Sequence, residues 1–159
     1  MAQSGIDVTR VDTVAQYPIG YETDDPRTGV NFAGNRCKYV QATGTITAAD
    51  FVKIDVTATA ANRKGSVNRT SAAAQPIEGV AIASLTTNQF GWITTLGFFP
   101  SANVITATAA GSILASSAVA GQAVASPGAA ADANANAGGR RALCLTLAAS
   151  NLADVLIGG

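Results

Sequence analysis

The sequence predicts an all-β fold: a compact β-sandwich or small barrel of short strands, with an extended N-terminal arm. Three observations predict it. Apolar and polar residues alternate with period two from Phe51 to Val56. Ile77 to Leu96 reads as two strands around a polar turn at Thr86–Gln89, the second rich in β-branched and aromatic residues. Short strand-like runs with turn signals between them continue to the C-terminus, the pattern of a sandwich or barrel.

Residues 1–35 differ from the rest. Pro18, Pro26, Gly20, Gly29 and Gly34 interrupt isolated apolar residues, and no helical or strand period fits. This segment reads as an arm that hides its Tyr and Phe side chains by lying on a surface, whether of its own domain, a sister subunit or another protein. Residues 36–159 read as one β-rich domain. Arg36–Ala42 is a strand centred on Tyr39 and Val40, ended by Gly44. In Phe51–Val56, the side chains of Val52, Ile54 and Val56 face one way and those of Phe51, Lys53 and Asp55 the other. Ala58–Lys64 is a loop, Ser66–Thr70 a short polar strand, and Pro76 opens the central hairpin, whose return strand carries the only tryptophan, Trp92.

Phe98-Phe99-Pro100 then forms an apolar group beside a turn, and Asn103–Ala107 is a further expected strand. Ser112–Ala115 and Ala118–Val124 suit helix by alanine content, but Gly111 and Gly121 break it, and two short strands are preferred. Residues 126–139 are low-complexity Ala, Asn and Gly, expected to form a mobile surface loop. Arg141–Leu147 and Leu152–Ile157 read as a closing strand pair. One helical turn after Ser150 or Asn151 is the rival for the second.

Ten basic and ten acidic residues cancel, which argues against nucleic acid and anionic membrane as partners. The charges are uneven: sixteen of the twenty lie between Asp7 and Glu78, and none between Gly79 and Ala131. Such a stretch is either a Thr/Ser-rich surface or one covered by a partner, since interface cores are depleted in charge. The first residues carry no basic region followed by an apolar run, so cytosolic synthesis without a secretory signal is expected, and no window is apolar enough to span a bilayer. Cys37 and Cys144 are then expected to be free thiols. Asn68-Arg69-Thr70 is a chance match to a glycosylation site in that setting.

No catalytic set is found. The chain has no histidine, which removes the usual nucleophilic triads and most zinc sites. It has no phosphate-binding glycine loop. Asp24 and Asp25 are adjacent and precede Pro26, which fits a solvated turn better than an acid/base pair. Asp132, Asn134 and Asn136 imitate the start of a calcium loop, but the glycine comes one residue late and Leu143 stands where a bidentate Glu is needed. Arg140-Arg141 has no aromatic neighbours and reads as a solvated strand entry. Trp92, Phe98 and Phe99 form either core or a ligand shelf. Thus no catalytic, cofactor-binding or metal-binding residue is expected, and the chain is not expected to be an enzyme.

Tyr39-Val40-Gln41-Ala42-Thr43-Gly44-Thr45-Ile46-Thr47 followed by Asp50-Phe51-Val52-Lys53-Ile54-Asp55 resembles the opening of small tailed-bacteriophage capsid decoration (cement) proteins. Gly79-Val80-Ala81, Gly91-Trp92-Ile93 and Leu96-Gly97 resemble their central hairpin, and Tyr17-Pro18-Ile19-Gly20 the segment before it. The resemblance implies a β-rich head with an N-terminal arm on the exterior of an icosahedral virion. Its partner would be the major capsid protein, and it would form a homotrimer or other small homo-oligomer. Shell or subunit contacts would fall on Tyr17, Ile19, Tyr21, Val30, Phe32, Phe98 and Phe99. The alternative is a virion fibre or host-attachment module with a carbohydrate shelf near Trp92, Phe98 and Phe99.

Overall fold

A computed structural model describes residues 5–27, 32–57, 65–72, 75–126 and 141–158. The fold is all-β. The described strands are β1 (Glu22–Asp24), β2 (Arg36–Ala42), β3 (Phe51–Ile54), β4 (Ser66–Arg69), β5 (Gly79–Ala81), β6 (Phe90–Asn103), β7 (Ile113–Ser116), β8 (Ala123–Ala125), β9 (Arg141–Cys144) and β10 (Leu152–Gly158). Strands β2, β4, β3, β5 and β6 close into a five-stranded barrel, because β2 pairs with both β4 and β6. The β2–β4 pairing is parallel and the others are antiparallel.

Strand β6 organises the chain. Its first half, Phe90 to Leu96, lies in the barrel against β2 and β5. Its second half, Gly97 to Asn103, leaves the barrel and pairs with β10. From there a second sheet runs β6, β10, β9, β7, β8. Val104, just past β6, makes a parallel bridge to Ala123 of β8, so this sheet curls back on itself.

Alternation along the strands sorts the side chains into three cores. Val40, Ala42, Ile46, Val52, Val67, Ala81, Leu85 and Ile93 come from all five barrel strands and the adjoining turns, and they fill the barrel. The opposite phase of β3 and β5, Phe51 and Val80, meets Phe99, Val104, Leu114, Val155 and Ile157 in a second core. Much of the rest of that core is alanine: Ala102, Ala123, Ala142, Ala148 and Ala153 are all buried there. Small side chains let the curled sheet close tightly, which gives the alanine content a packing role. The third core, over the barrel's outer face, joins Val8, Cys37, Tyr39 and Trp92.

The N-terminal expectation left three surfaces open, and residues 5–27 lie on the first of them, their own barrel. Asp12 bridges Phe90 through two backbone hydrogen bonds of 2.9 and 2.8 Å. Gly20 N–H donates to the Tyr39 carbonyl (2.8 Å), and β1 continues onto β2.

Several boundaries differ from expectation for identifiable reasons. Strand β6 does not stop at Leu96. Pro100 sits where β6 holds one residue more than β10 between Phe99 and Ala102, and Ser101 adopts φ 54°. A bulge is a place where a strand tolerates proline. Asn103–Ala107 is not a strand of its own. Asn103 ends β6, and the chain then turns, with Ala107 at φ 71° and Thr108 Oγ1 donating to the Ile105 carbonyl (2.8 Å). Of Ala118–Val124 only the end is strand, since Ser117 and Gly121 (φ 74°) build a turn first. Leu152–Ile157 is strand, not helix. The expected loops at Ala58–Lys64 and over most of 126–139 lie outside the described residues.

Candidate functional site

The aromatic cluster comes first, because the expected ligand shelf depends on it. Trp92 is 1% exposed and Phe99 6% exposed. Tyr17, Tyr21 and Tyr39 surround Trp92 at ring-centroid distances of 5.3, 6.2 and 5.0 Å. Phe99 belongs to the second core, and Phe98, its neighbour in the strand, faces the other side. The three aromatics therefore do not assemble into a shelf. Phe99 is a packing residue with little surface for a partner.

Tyr39 holds the N-terminal segment by its polar end. Its hydroxyl donates to Asp12 Oδ2 (2.9 Å) and accepts from Gln16 N–H (3.2 Å). Arg10 Nε lies 2.6 Å from the other Asp12 oxygen. Burial first, then the hydrogen bond to Asp12, pushes the Tyr39 phenol up to about 12. Beneath β6, Arg27 grips Asp25 in a bidentate pair whose carboxylate is fully buried. The Arg27 guanidinium also lies over the Phe32 ring at 4.3 Å. Burial beside Asp25 pushes the Cys37 thiol up to about 12. Cys37 and Cys144 are both buried and unbridged.

Both groups bind their protons more tightly folded (about 12) than at their ordinary values of 10.0 and 9.0. Rising pH therefore favours the unfolded chain, and this contribution is complete below about pH 9 and lost as pH climbs towards 12. Thermal melts at pH 8, 9, 10 and 11 should show a steadily falling midpoint, with the Cys37 thiol unreactive to disulfide reagents until the fold opens. A midpoint that stays flat across the series would contradict this.

The expected contact residues are thus dispersed. Tyr17 and Tyr21 stack on each other at 5.8 Å, half-buried over the barrel, and Ile19 packs on Gly65. Phe32 lies under Arg27, Phe98 lies on the second sheet, and Val30 falls outside the described residues.

Among the described residues, the second sheet carries an exposed apolar row. Phe98 of β6 is the partner of Leu156 on β10, Leu156 of Leu143 on β9, and Leu143 of Ile113 on β7. Directly opposed residues share a face, so these four side chains form one row across four strands. Leu156 and Ile113 are each 43% exposed. Leu152 and Leu145 extend the same face at its lower end. Leu156, Leu143, Ile113, Arg141 and Gly158 border a shallow depression of about 210 Å³, room for a side chain or two. Among the described residues of β9 and β10, the face carries one charge at each end. Arg141 stands at one, opposite Gly158, and Asp154 stands at the other, beside Leu145.

Of this row only Phe98 was expected from the sequence. A signal for the rest exists: in Leu152–Ile157 one phase of the alternation, Ala153/Val155/Ile157, is wholly apolar, and the other, Leu152/Asp154/Leu156, is apolar at two of its three positions. One phase fills the core and the other must face something else. Among the described residues, no group of three or more His, Cys, Asp or Glu side chains gathers to hold a metal ion. Comparison with family models, curated proteins and solved structures finds no match to this chain.

Proposed function

We propose that this chain is a structural virion protein that binds the outer surface of an icosahedral phage capsid and stabilises it by bridging neighbouring capsid subunits. The observation that carries the proposal is the formed N-terminal surface, on which Val14 is 68% exposed and Tyr17 and Tyr21 are half-buried, while the apolar row Phe98–Leu156–Leu143–Ile113 on the second sheet is a separate protein contact. Contiguous exposed apolar surface of this kind marks a protein contact. The resemblance of residues 17–20, 39–47, 50–55, 79–81, 91–93 and 96–97 to decoration proteins supplies the class of partner, the major capsid protein.

The mechanism is additive clamping. A homo-oligomer holds several weak shell contacts in one body, and each contact after the first forms at high effective concentration. The packed N-terminal segment changes how the arm would act. Residues 5–27 supply part of the barrel's own cover, so they present a formed surface instead of folding upon binding. Val14, 68% exposed, lies three residues before the half-buried Tyr17 in that segment.

The test is co-sedimentation of the purified chain with intact shells prepared without it. Saturable binding at a fixed ratio to the major shell protein is expected. Val14→Asp, at a site too exposed to disturb folding, should weaken binding about tenfold, the effect of roughly 1.4 kcal/mol at one contact. Absence of co-sedimentation would overturn the proposal.

A further inference from the structure

We propose that the apolar row on the second sheet is the contact between two copies of this chain, packed face to face about a two-fold axis. The inference rests on the functional reading only in taking this face as a protein contact, and it needs no shell.

The arrangement of charge on the face selects the occupant. The row itself, Phe98, Leu156, Leu143 and Ile113, is apolar throughout. Two strand positions away in one direction lies Arg141, and two in the other lies Asp154. Both point outward: Arg141 alternates with the buried Ala142, and Asp154 lies between the buried Ala153 and Val155. A two-fold axis lying in the interface along the row reverses the strand direction of one copy relative to the other. Row then covers row. The Arg141 end of each copy falls over the Leu145 and Asp154 end of its mate, so opposite charges meet twice, once at each end.

A surface whose charges are complementary to its own rotated image is what an isologous contact requires. A different partner would have to supply a matching apolar row flanked by an acid and a base at the same spacing. The depression beside Leu143 and Leu156 gives a seat for a protruding side chain of the mate. The pairing yields a dimer, in contrast to the trimer that the family resemblance implies.

The experiment is the solution mass of the full chain by light scattering. The wild type is expected at twice the 15.9 kDa chain mass. Leu156→Glu, at an exposed position, should raise the dissociation constant about a hundredfold, as expected for a charge placed at the centre of a contact. Charge exchange gives the sharper result. Arg141→Asp and Asp154→Arg should each be monomeric, because each puts like charges at both ends. Mixed in equal amounts they should pair, because every cross-contact is then opposite in sign. Far-ultraviolet circular dichroism of each variant establishes that it is folded.

A wild-type monomer, a trimer mass, or singly exchanged variants that fail to pair on mixing would each overturn the inference. These readings are independent of shell binding. A dimer that ignores shells would leave this contact standing and remove the functional proposal, and a monomer that binds shells would do the reverse.

Discussion

Trp92→Ala is expected to lower the unfolding free energy by about 4 kcal/mol, near the upper end for loss of a buried aromatic. The corresponding fall in melting temperature is on the order of 10 °C for a chain of this length. The indole is the centre of the third core: Val8, Cys37 and Tyr39 pack in the same cluster, and Tyr17 and Tyr21 meet its edges from the N-terminal segment. Removing it leaves a cavity that the stiff β2 and β6 ladders cannot close, and takes away the surface on which residues 5–27 lie. The variant should therefore show two effects together: a lower midpoint, read by circular dichroism since the only tryptophan is gone, and faster tryptic cleavage at Arg10 and Arg27. Trp92→Phe, which keeps a ring in place, should recover about half of the loss. A change below about 1 kcal/mol in Trp92→Ala would show that the segment is not anchored there.

Gly97→Ala should be nearly as damaging, at about 3 kcal/mol. Gly97 stands where β6 passes from the barrel to the second sheet, with φ +100°, a conformation that L side chains rarely adopt. A methyl group there would overlap Asn35 Oδ1. That amide cannot yield cheaply. It is buried, it accepts from Phe98 N–H at 2.8 Å, and its Nδ2 donates to the Phe98 carbonyl at 2.7 Å. Asn35 thus completes the backbone pairing of Phe98 on the side away from β10. The substitution strains the backbone and also endangers two part-buried hydrogen bonds of the buried Asn35 amide. Equilibrium urea unfolding of Gly97→Ala beside Asn35→Ala separates the two causes. The alanine at 35 should cost about 2 kcal/mol, and the pair of changes together less than their sum, because the overlap exists only when Asn35 is present. Strict additivity would show that strain at φ +100° alone accounts for the loss.

The fold was readable wherever local pattern and tertiary packing agree. Arg36–Ala42 is a strand with the expected bounds, and Val52 and Phe51 point to opposite cores as the alternation required. The turn at Thr86–Gln89 is present, held by Gln89 N–H to the Thr86 carbonyl (3.0 Å) and by Gln89 Oε1 accepting from Thr86 N–H (2.8 Å). Misreadings gathered where one residue type has two meanings. Gly97 and Pro100 look like strand ends, yet one is a bend and the other a bulge inside a single 14-residue strand. Glu22–Asp24 is too short and too polar to show a period, and it is strand only because β2 offers it an edge. The apolar row is not legible in the sequence because its members come from four separate strands. Register places Phe98, Leu156, Leu143 and Ile113 side by side, and register is a property of pairing that no single segment displays.

The functional proposal is most directly tested by the stability of the shell itself. Capsids assembled with and without this chain are heated, and release of their nucleic acid is followed with an intercalating dye. Bridging of neighbouring capsid subunits predicts that decorated shells rupture at a higher temperature than bare ones, with the increment lost when Val14→Asp replaces the wild type. Rupture at the same temperature with the chain bound at saturation would contradict a stabilising role.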